Sequence, residues 1–224
     1  MNKKLKSLLD YQMKTIGDYK IVYPTNSNEV IEIIDICKTN SLKIVPCGFL
    51  SQIEFLRYSR NTIFVSSLKL DEIVLDNVNC FIEMKSGVNY FKLSESLKKK
   101  EIYLPLQINR DSTAGSVVST SDPFSQFSYY VKGVNVILAD GSIIKYGCKT
   151  LKNVAGYDLT KLVTGTFGSF GFIESILIQY LKKDEVDFEF EDYNSINMIR
   201  EINSERNKLW LNLKKELDPE NLFI

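Results

Sequence analysis

The chain has 224 residues, 44% of them hydrophobic, enough for one large domain or two small lobes with a real core and too many for a disordered tail. Its 28 basic and 28 acidic residues balance, so no whole-molecule field favours nucleic acid or an anionic membrane surface. The absence of histidine excludes any Ser-His-Asp or Cys-His device, and Cys37, Cys47, Cys80 and Cys148 are scattered without a CxxC pair, which argues against a zinc or iron–sulfur site or a disulfide framework built by this chain alone.

Residues 1–18 carry Leu5, Leu8, Leu9 and Met13 at helical spacing with Gly17 behind them, which predicts a short amphipathic helix. The start has no long apolar signal core and no run approaches the roughly eighteen residues of a membrane span, so a soluble cytoplasmic protein is expected. Lys20–Tyr23 is a strand closed by Pro24. Ser27 and Asn28 offer N-caps to a helix whose buried face is Val30, Ile31, Ile33, Ile34 and Cys37. Leu42–Val45 returns as a strand, and a strand–helix–strand unit of this length suggests a parallel pair. The loop after it, Pro46-Cys-Gly-Phe-Leu-Ser-Gln52, stands where α/β folds place a phosphate-binding turn, although a single glycine is a weak signal. Thr62–Val65 and Leu70–Leu75 are further extended segments.

From residue 80 strands predominate: Cys80–Lys85 is extended, Gly87 turns, and Tyr90–Lys99 is helical. Ser112-Thr-Ala-Gly-Ser-Val-Val-Ser-Thr-Ser121 is a run of small residues at a helix start, where unpaired amides and hydroxyls can bind an anion; a close-packed helix start is the plainer reading. Asp140-Gly141 between the apolar runs Val131–Leu138 and Ser142–Tyr146 signals a hairpin. Lys152–Ile173 then gathers Gly156, Gly165, Gly168 and Gly171, four of the eleven glycines, just before the strand Phe172–Leu181. Such a cluster is either a ligand-facing loop or a set of tight turns. Residues 182–205 carry no firm signature, and a terminal helix is stopped by Asp218-Pro219.

The Asp140-Gly141 hairpin, Lys152-Asn-Val-Ala-Gly-Tyr-Asp-Leu159, Gly165-Thr-Phe-Gly-Ser-Phe-Gly-Phe-Ile173 and the terminal Leu217-Asp-Pro-Glu-Asn-Leu222 resemble the FAD-binding subunit of bacterial glycolate oxidase and, more broadly, FAD-linked oxidases of the vanillyl-alcohol oxidase/PCMH type. The resemblance implies an α+β fold, a two-lobed PCMH-type FAD-binding domain with a small parallel-strand lobe followed by a larger, mainly antiparallel sheet lobe with flanking helices. The expected division is 1–75, 76–181, and a segment 182–224 standing in place of a cap domain; that segment is too short for a separate core. The implied cofactor is FAD. Its implied contacts are Pro46, Cys47, Gly48, Phe49, Leu50, Ser51 and Gln52 at the pyrophosphate, Thr113, Ala114, Gly115, Ser116 and Ser119 at pyrophosphate and flavin, and Gly168, Gly171, Phe172 and Ile173 along the cofactor. Tyr129, Tyr130, Lys152, Tyr157 and Asp158 are polar groups near the expected flavin, each equally readable as structural.

The implied function is a subunit that binds FAD and passes electrons within a complex with a larger FAD-linked oxidase subunit and an iron–sulfur subunit, acting on a 2-hydroxy acid, with no direct membrane insertion. Bulky residues in the loop at Cys47–Leu50 and the missing cap leave a second reading, a flavin-free structural or assembly subunit that has kept the fold. A stand-alone flavin reductase is the third.

Overall fold

A computed structural model describes residues 14–16, 19–51, 59–147, 160–183 and 207–224. The small lobe is built from β1 (Lys14–Ile16), β2 (Tyr19–Val22), α1 (Ser27–Thr39), β3 (Lys43–Cys47) and β4 (Thr62–Ser66). Its sheet runs β1-β2-β4-β3, with β2, β4 and β3 mutually parallel and β1 antiparallel on β2. The strands on either side of α1 are therefore parallel, as expected, but β4 lies between them. All five residues of β4 are buried, as suits a central parallel strand covered on both faces.

Two local expectations are corrected. Residues 14–16 are extended rather than the end of a helix, since Lys14 pairs with Ile21 and Ile16 with Tyr19 along the sheet edge; residues 1–13 lie outside the described set. The cap of α1 is Asn26, whose side chain accepts from the Glu29 amide at 3.0 Å, while Glu29 in return accepts from the Thr25 amide at 2.7 Å. Val30, Ile33, Ile34 and Cys37 form the buried face that their spacing predicts.

The larger lobe comprises β5 (Ile73–Asp76), β6 (Phe81–Lys85), α2 (Tyr90–Lys98), β7 (Ile102–Tyr103), α3 (Ala114–Thr120), α4 (Gln126–Tyr130), β8 (Val131–Ile137), β9 (Ile143–Gly147), α5 (Thr160–Val163), β10 (Phe172–Gln179) and β11 (Leu181–Lys182). Its antiparallel sheet runs β5-β6-β10-β8-β9, and β11 pairs with β7 apart from it. The Asp140-Gly141 hairpin forms as its chemistry predicts: Asp140 accepts from the Ser142 amide at 2.9 Å, and Gly141 takes φ +81°. One core lies under this sheet around Ile82, Val134 and Ile176. A second packs α1 against the small sheet and also takes in Ile137, Ala139 and Phe172, so the strand ends of the larger lobe help build the core of the smaller one.

Helix α6 (Asn207–Leu217) precedes the Asp218-Pro219 stop, and the tail beyond it returns to the small lobe. The Ile44 amide donates to the Leu222 carbonyl at 2.8 Å and the Ile224 amide to the Ile44 carbonyl at 3.0 Å, so the chain end runs parallel along the edge of β3.

Glu174 on β10 joins α1 to the larger sheet. Its carboxylate, 6% exposed, accepts from Ser27 Oγ at 2.9 Å and from Lys85 Nζ. Burial opposes its ionisation, but hydrogen bonds from Lys85, Ser175 and Ser27 outweigh burial and hold its pKa below the ordinary 4.5. A depressed carboxylate pKa contributes stability above the unfolded-state value and loses it as pH falls through the folded one. Glu174→Gln is therefore expected to lower the melting temperature at neutral pH, with the gap to wild type closing as pH drops below about 4.5. Melts across that acid range check this, and a gap that does not change with pH would contradict it.

Candidate functional site

The parallel strands β3 and β4 end side by side, with Cys47 opposite Ser66, and the chain beyond them faces β6, α3 and the turn before β10. These segments line a solvent-open cleft between the lobes. The end of β3 and the residue after it contribute Pro46, Cys47 and Gly48; the small-residue run contributes Thr113, Gly115, Ser116 and Ser119; the glycine-rich turn and the start of β10 contribute Gly168, Gly171, Phe172 and Ile173. Three stretches separated in sequence and singled out for their glycines and small polar residues thus share one wall.

Other expected residues lie elsewhere. Phe49 is 40% exposed, Ser51 is exposed, and Leu50 packs beside Ile21, Val45 and Phe64; none of the three is among the residues that line the cleft. Ala114 is wholly buried in the larger core. Tyr129 carries Lys161 Nζ 4.3 Å from its ring centroid, and Tyr130 packs on the larger core; neither lines the cleft. Gln52, Lys152, Gly156, Tyr157 and Asp158, with the whole Lys152–Leu159 motif, lie outside the described residues.

The start of α3 does not offer free amides. The Ala114 amide donates to the Val88 carbonyl and the Gly115 amide to the Ser86 carbonyl, each at 2.8 Å, and the Ser116 amide goes to Thr113 Oγ1 at 3.3 Å. Residues after β6 lie against this helix start and take up its first donors, so here the close-packed reading prevails and the ligand-facing groups are side chains.

Sequence reasoning missed Ser67, Ser86 and Phe167, which complete the wall. A signal existed for two of them. Ser67 follows the C-terminal end of a parallel strand, where α/β sheets place ligands, and Ser86 precedes the turn glycine Gly87. Ser66 Oγ and Ser67 Oγ donate to the carbonyls of Gly48 and Cys47, each at 3.3 Å. Because C=O and N–H point oppositely across a trans peptide, these bonds also fix the direction of the next amide along the loop.

Two glycines allow the walls to meet. A Cβ on Gly48 would lie 2.3 Å from Thr113 Oγ1, and one on Gly115 would lie 2.8 Å from the Ser86 Cβ. Burial pushes the Cys47 thiol up to about 12 despite a hydrogen bond with Ser66 that lowers it, so Cys47 stays protonated at neutral pH and is no nucleophile. Among the described residues, none that lines the cleft is charged. Hydroxyls, backbone groups and two phenylalanine rings therefore define the chemistry of the cleft. That set suits an elongated ligand with a planar ring system and many oxygen acceptors better than it suits a metal or a small anion.

The FAD binding domain family matches residues 20–147. The glycolate oxidase subunit GlcD of Bacillus subtilis (strain 168) is 27% identical over 175 residues, covering 74% of this chain and 37% of that protein. The mitochondrial D-lactate dehydrogenase [cytochrome] of Arabidopsis thaliana is 26% identical over 172 residues, covering 72% of this chain and 30% of its own length. The chain thus spans only about a third of these relatives. Among solved structures, alkyldihydroxyacetonephosphate synthase superposes with a TM-score of 0.58 at 17% identity, over 73% of this chain and 31% of that one. A variant of Phl p 4, a glucose dehydrogenase, gives 0.59 at 17% identity, over 73% and 35%. At such identities the superpositions speak for the fold, a two-lobed PCMH-type FAD-binding fold, while the match over residues 20–147 speaks for the lineage and its cofactor, FAD: the chain belongs to the FAD binding domain family.

Proposed function

We propose that the chain is the FAD-binding subunit of an oxidoreductase acting on a 2-hydroxy acid such as glycolate or lactate, working with a larger FAD-linked oxidase subunit and an iron–sulfur subunit. The observation that carries this is the convergence of three sequence-separated stretches on one cleft, lined among the described residues by uncharged groups, between the lobes of an FAD-binding fold. FAD would supply the two-electron acceptance that oxidation of an alcohol carbon requires.

The chain's own residues bind and orient. On this reading Pro46–Gly48 and Gly168–Ile173, which meet where Gly168 packs against Pro46, would border the dinucleotide, and Thr113, Ser116 and Ser119 would present oxygen to it. Lacking histidine, the chain supplies no imidazole base, so substrate deprotonation falls to a partner or to another residue type. Phe49 and Leu50 are not among the cleft-lining residues, which weakens one of the two features that favoured a flavin-free subunit, the other being the missing cap. Among the described residues no helix is long and apolar enough to cross a membrane, and we place the protein in the cytoplasm, meeting any membrane through its partners. The proposed lobes are 1–75 and 76–181, with 182–224 in the place of a cap; β5 at Ile73–Asp76 pairs into the larger sheet, which favours moving the first boundary a few residues earlier, ahead of Ile73.

Protein purified from its native host is expected to be yellow, to release FAD on denaturation, and to bring the two partner subunits with it. A colourless protein that takes up no added FAD overturns the proposal, and a yellow protein purified alone overturns the complex.

A further inference from the structure

The hydroxyls on the cleft wall are not equivalent. Ser67 Oγ donates to the Cys47 carbonyl at 3.3 Å, Ser116 Oγ to the Thr113 carbonyl at 2.8 Å, and Ser119 Oγ to the Ser116 carbonyl at 3.1 Å. Thr113 Oγ1 serves as acceptor for the Ser116 amide. Ser86 Oγ is different: its residue is 2% exposed, and the hydroxyl is buried with no hydrogen-bond partner.

Nothing in the backbone lets Ser86 escape. Its amide donates to the Glu174 carbonyl at 3.1 Å, its carbonyl accepts from the Gly115 amide at 2.8 Å, and the next amide, of Gly87, donates to the Leu70 carbonyl at 2.8 Å. The absent Cβ of Gly115 leaves the space in which the Ser86 side chain sits. A buried hydroxyl without a partner costs free energy that alanine at the same place would not. An orphaned donor at the wall of a ligand cleft gains its partner when the ligand arrives.

We propose that Ser86 donates a hydrogen bond from Oγ to an oxygen of FAD, acting as a cofactor-positioning residue whose partner is absent until FAD binds. The assignment rests on the FAD reading above. It predicts opposite effects of one substitution on two quantities. Ser86→Ala removes a single oxygen, so the FAD-free protein should melt at the wild-type temperature or above it. Its affinity for FAD should fall about two- to tenfold for a neutral acceptor, and more than tenfold for a phosphate oxygen.

The test is titration of FAD-free wild-type and Ser86→Ala protein with FAD, followed by flavin fluorescence, alongside thermal melts of both without FAD. ADP and riboflavin serve as competing probes. A loss that carries over to ADP puts the acceptor on the pyrophosphate, and one that carries over to riboflavin puts it on the ribityl–isoalloxazine half; either supports the assignment. Equal FAD affinities for the two proteins, or a weaker variant that also melts lower without FAD, overturn it. A wild type that takes up no FAD overturns the cofactor reading together with this assignment.

Discussion

Replacing Lys214 with methionine is expected to destabilise the protein by about 3–5 kcal/mol, a large part of the stability of an ordinary domain. Lys214 on α6 is 7% exposed, and its ammonium donates to Asp218 Oδ2 at 2.7 Å, to the Phe223 carbonyl at 2.6 Å and to the Ser169 carbonyl. Asp218, 1% exposed, also accepts from the Leu222 and Phe223 amides at 2.7 and 2.9 Å. One buried cation thus ties together the helix, the tail that runs along β3, and the turn whose neighbours Gly168 and Gly171 line the cleft. Burial outweighs the attraction of Asp218 and holds the lysine pKa below its ordinary 10.5, so the cost of the buried charge is present at neutral pH and is relieved as pH rises through the lowered value. Methionine keeps the bulk but leaves a buried carboxylate without its cation and two carbonyls without a donor. Denaturant midpoints measure the loss, and FAD affinity should fall with it because the Ser169 turn is released. A shift below about 1 kcal/mol would show that the Asp218 amide bonds suffice without the lysine.

Local chemistry was legible in the sequence, and long-range pairing was not. The spacing of Val30, Ile33, Ile34 and Cys37 specifies one helix face, and Asp140-Gly141 specifies one turn, because each depends only on neighbours a few residues away. The glycines and small hydroxyl residues flagged the cleft because close approach demands them wherever the partner comes from. Which strand separates β2 from β3 depends on a segment that arrives after both, and nothing in either strand encodes it. The same holds for the amides of Ala114 and Gly115, open in the sequence yet taken by the carbonyls of Val88 and Ser86. Leu217-Asp-Pro-Glu-Asn-Leu222 was recognised as a motif and as a helix stop, but its role emerges only when Asp218 is seen holding the tail against Ile44. Residues 14–16 mislead for a related reason: the helical spacing of Leu5 to Met13 runs into a short stretch that the edge of β2 recruits as a strand.

Gly48→Ala should damage the cleft where the end of β3 meets the start of α3. The added Cβ would lie 2.3 Å from Thr113 Oγ1, 2.6 Å from its Cγ2 and 3.0 Å from its Cβ. Because the Thr113 Cβ itself is in the way, rotating the side chain does not clear the clash. Moving Thr113 also breaks the cap that its Oγ1 provides to the Ser116 amide. Overpacking of this kind costs about 1–3 kcal/mol and a lost cap about 1 kcal/mol more. The alternative is for the loop to retreat, which separates Pro46–Gly48 from α3 and weakens the Ser66 and Ser67 bonds to the loop carbonyls. Either route disturbs the contact between Pro46–Gly48 and α3 where the proposed FAD site lies, so on that proposal FAD should be lost on gel filtration under conditions where wild type retains it. The double variant Gly48→Ala/Thr113→Ala separates steric from other causes. With Oγ1 and Cγ2 gone, only the 3.0 Å contact to Cβ remains, and the pair should be no less stable than Gly48→Ala alone, a departure from additivity that contact between the two sites requires. Additive losses would place the damage somewhere other than the Gly48–Thr113 contact.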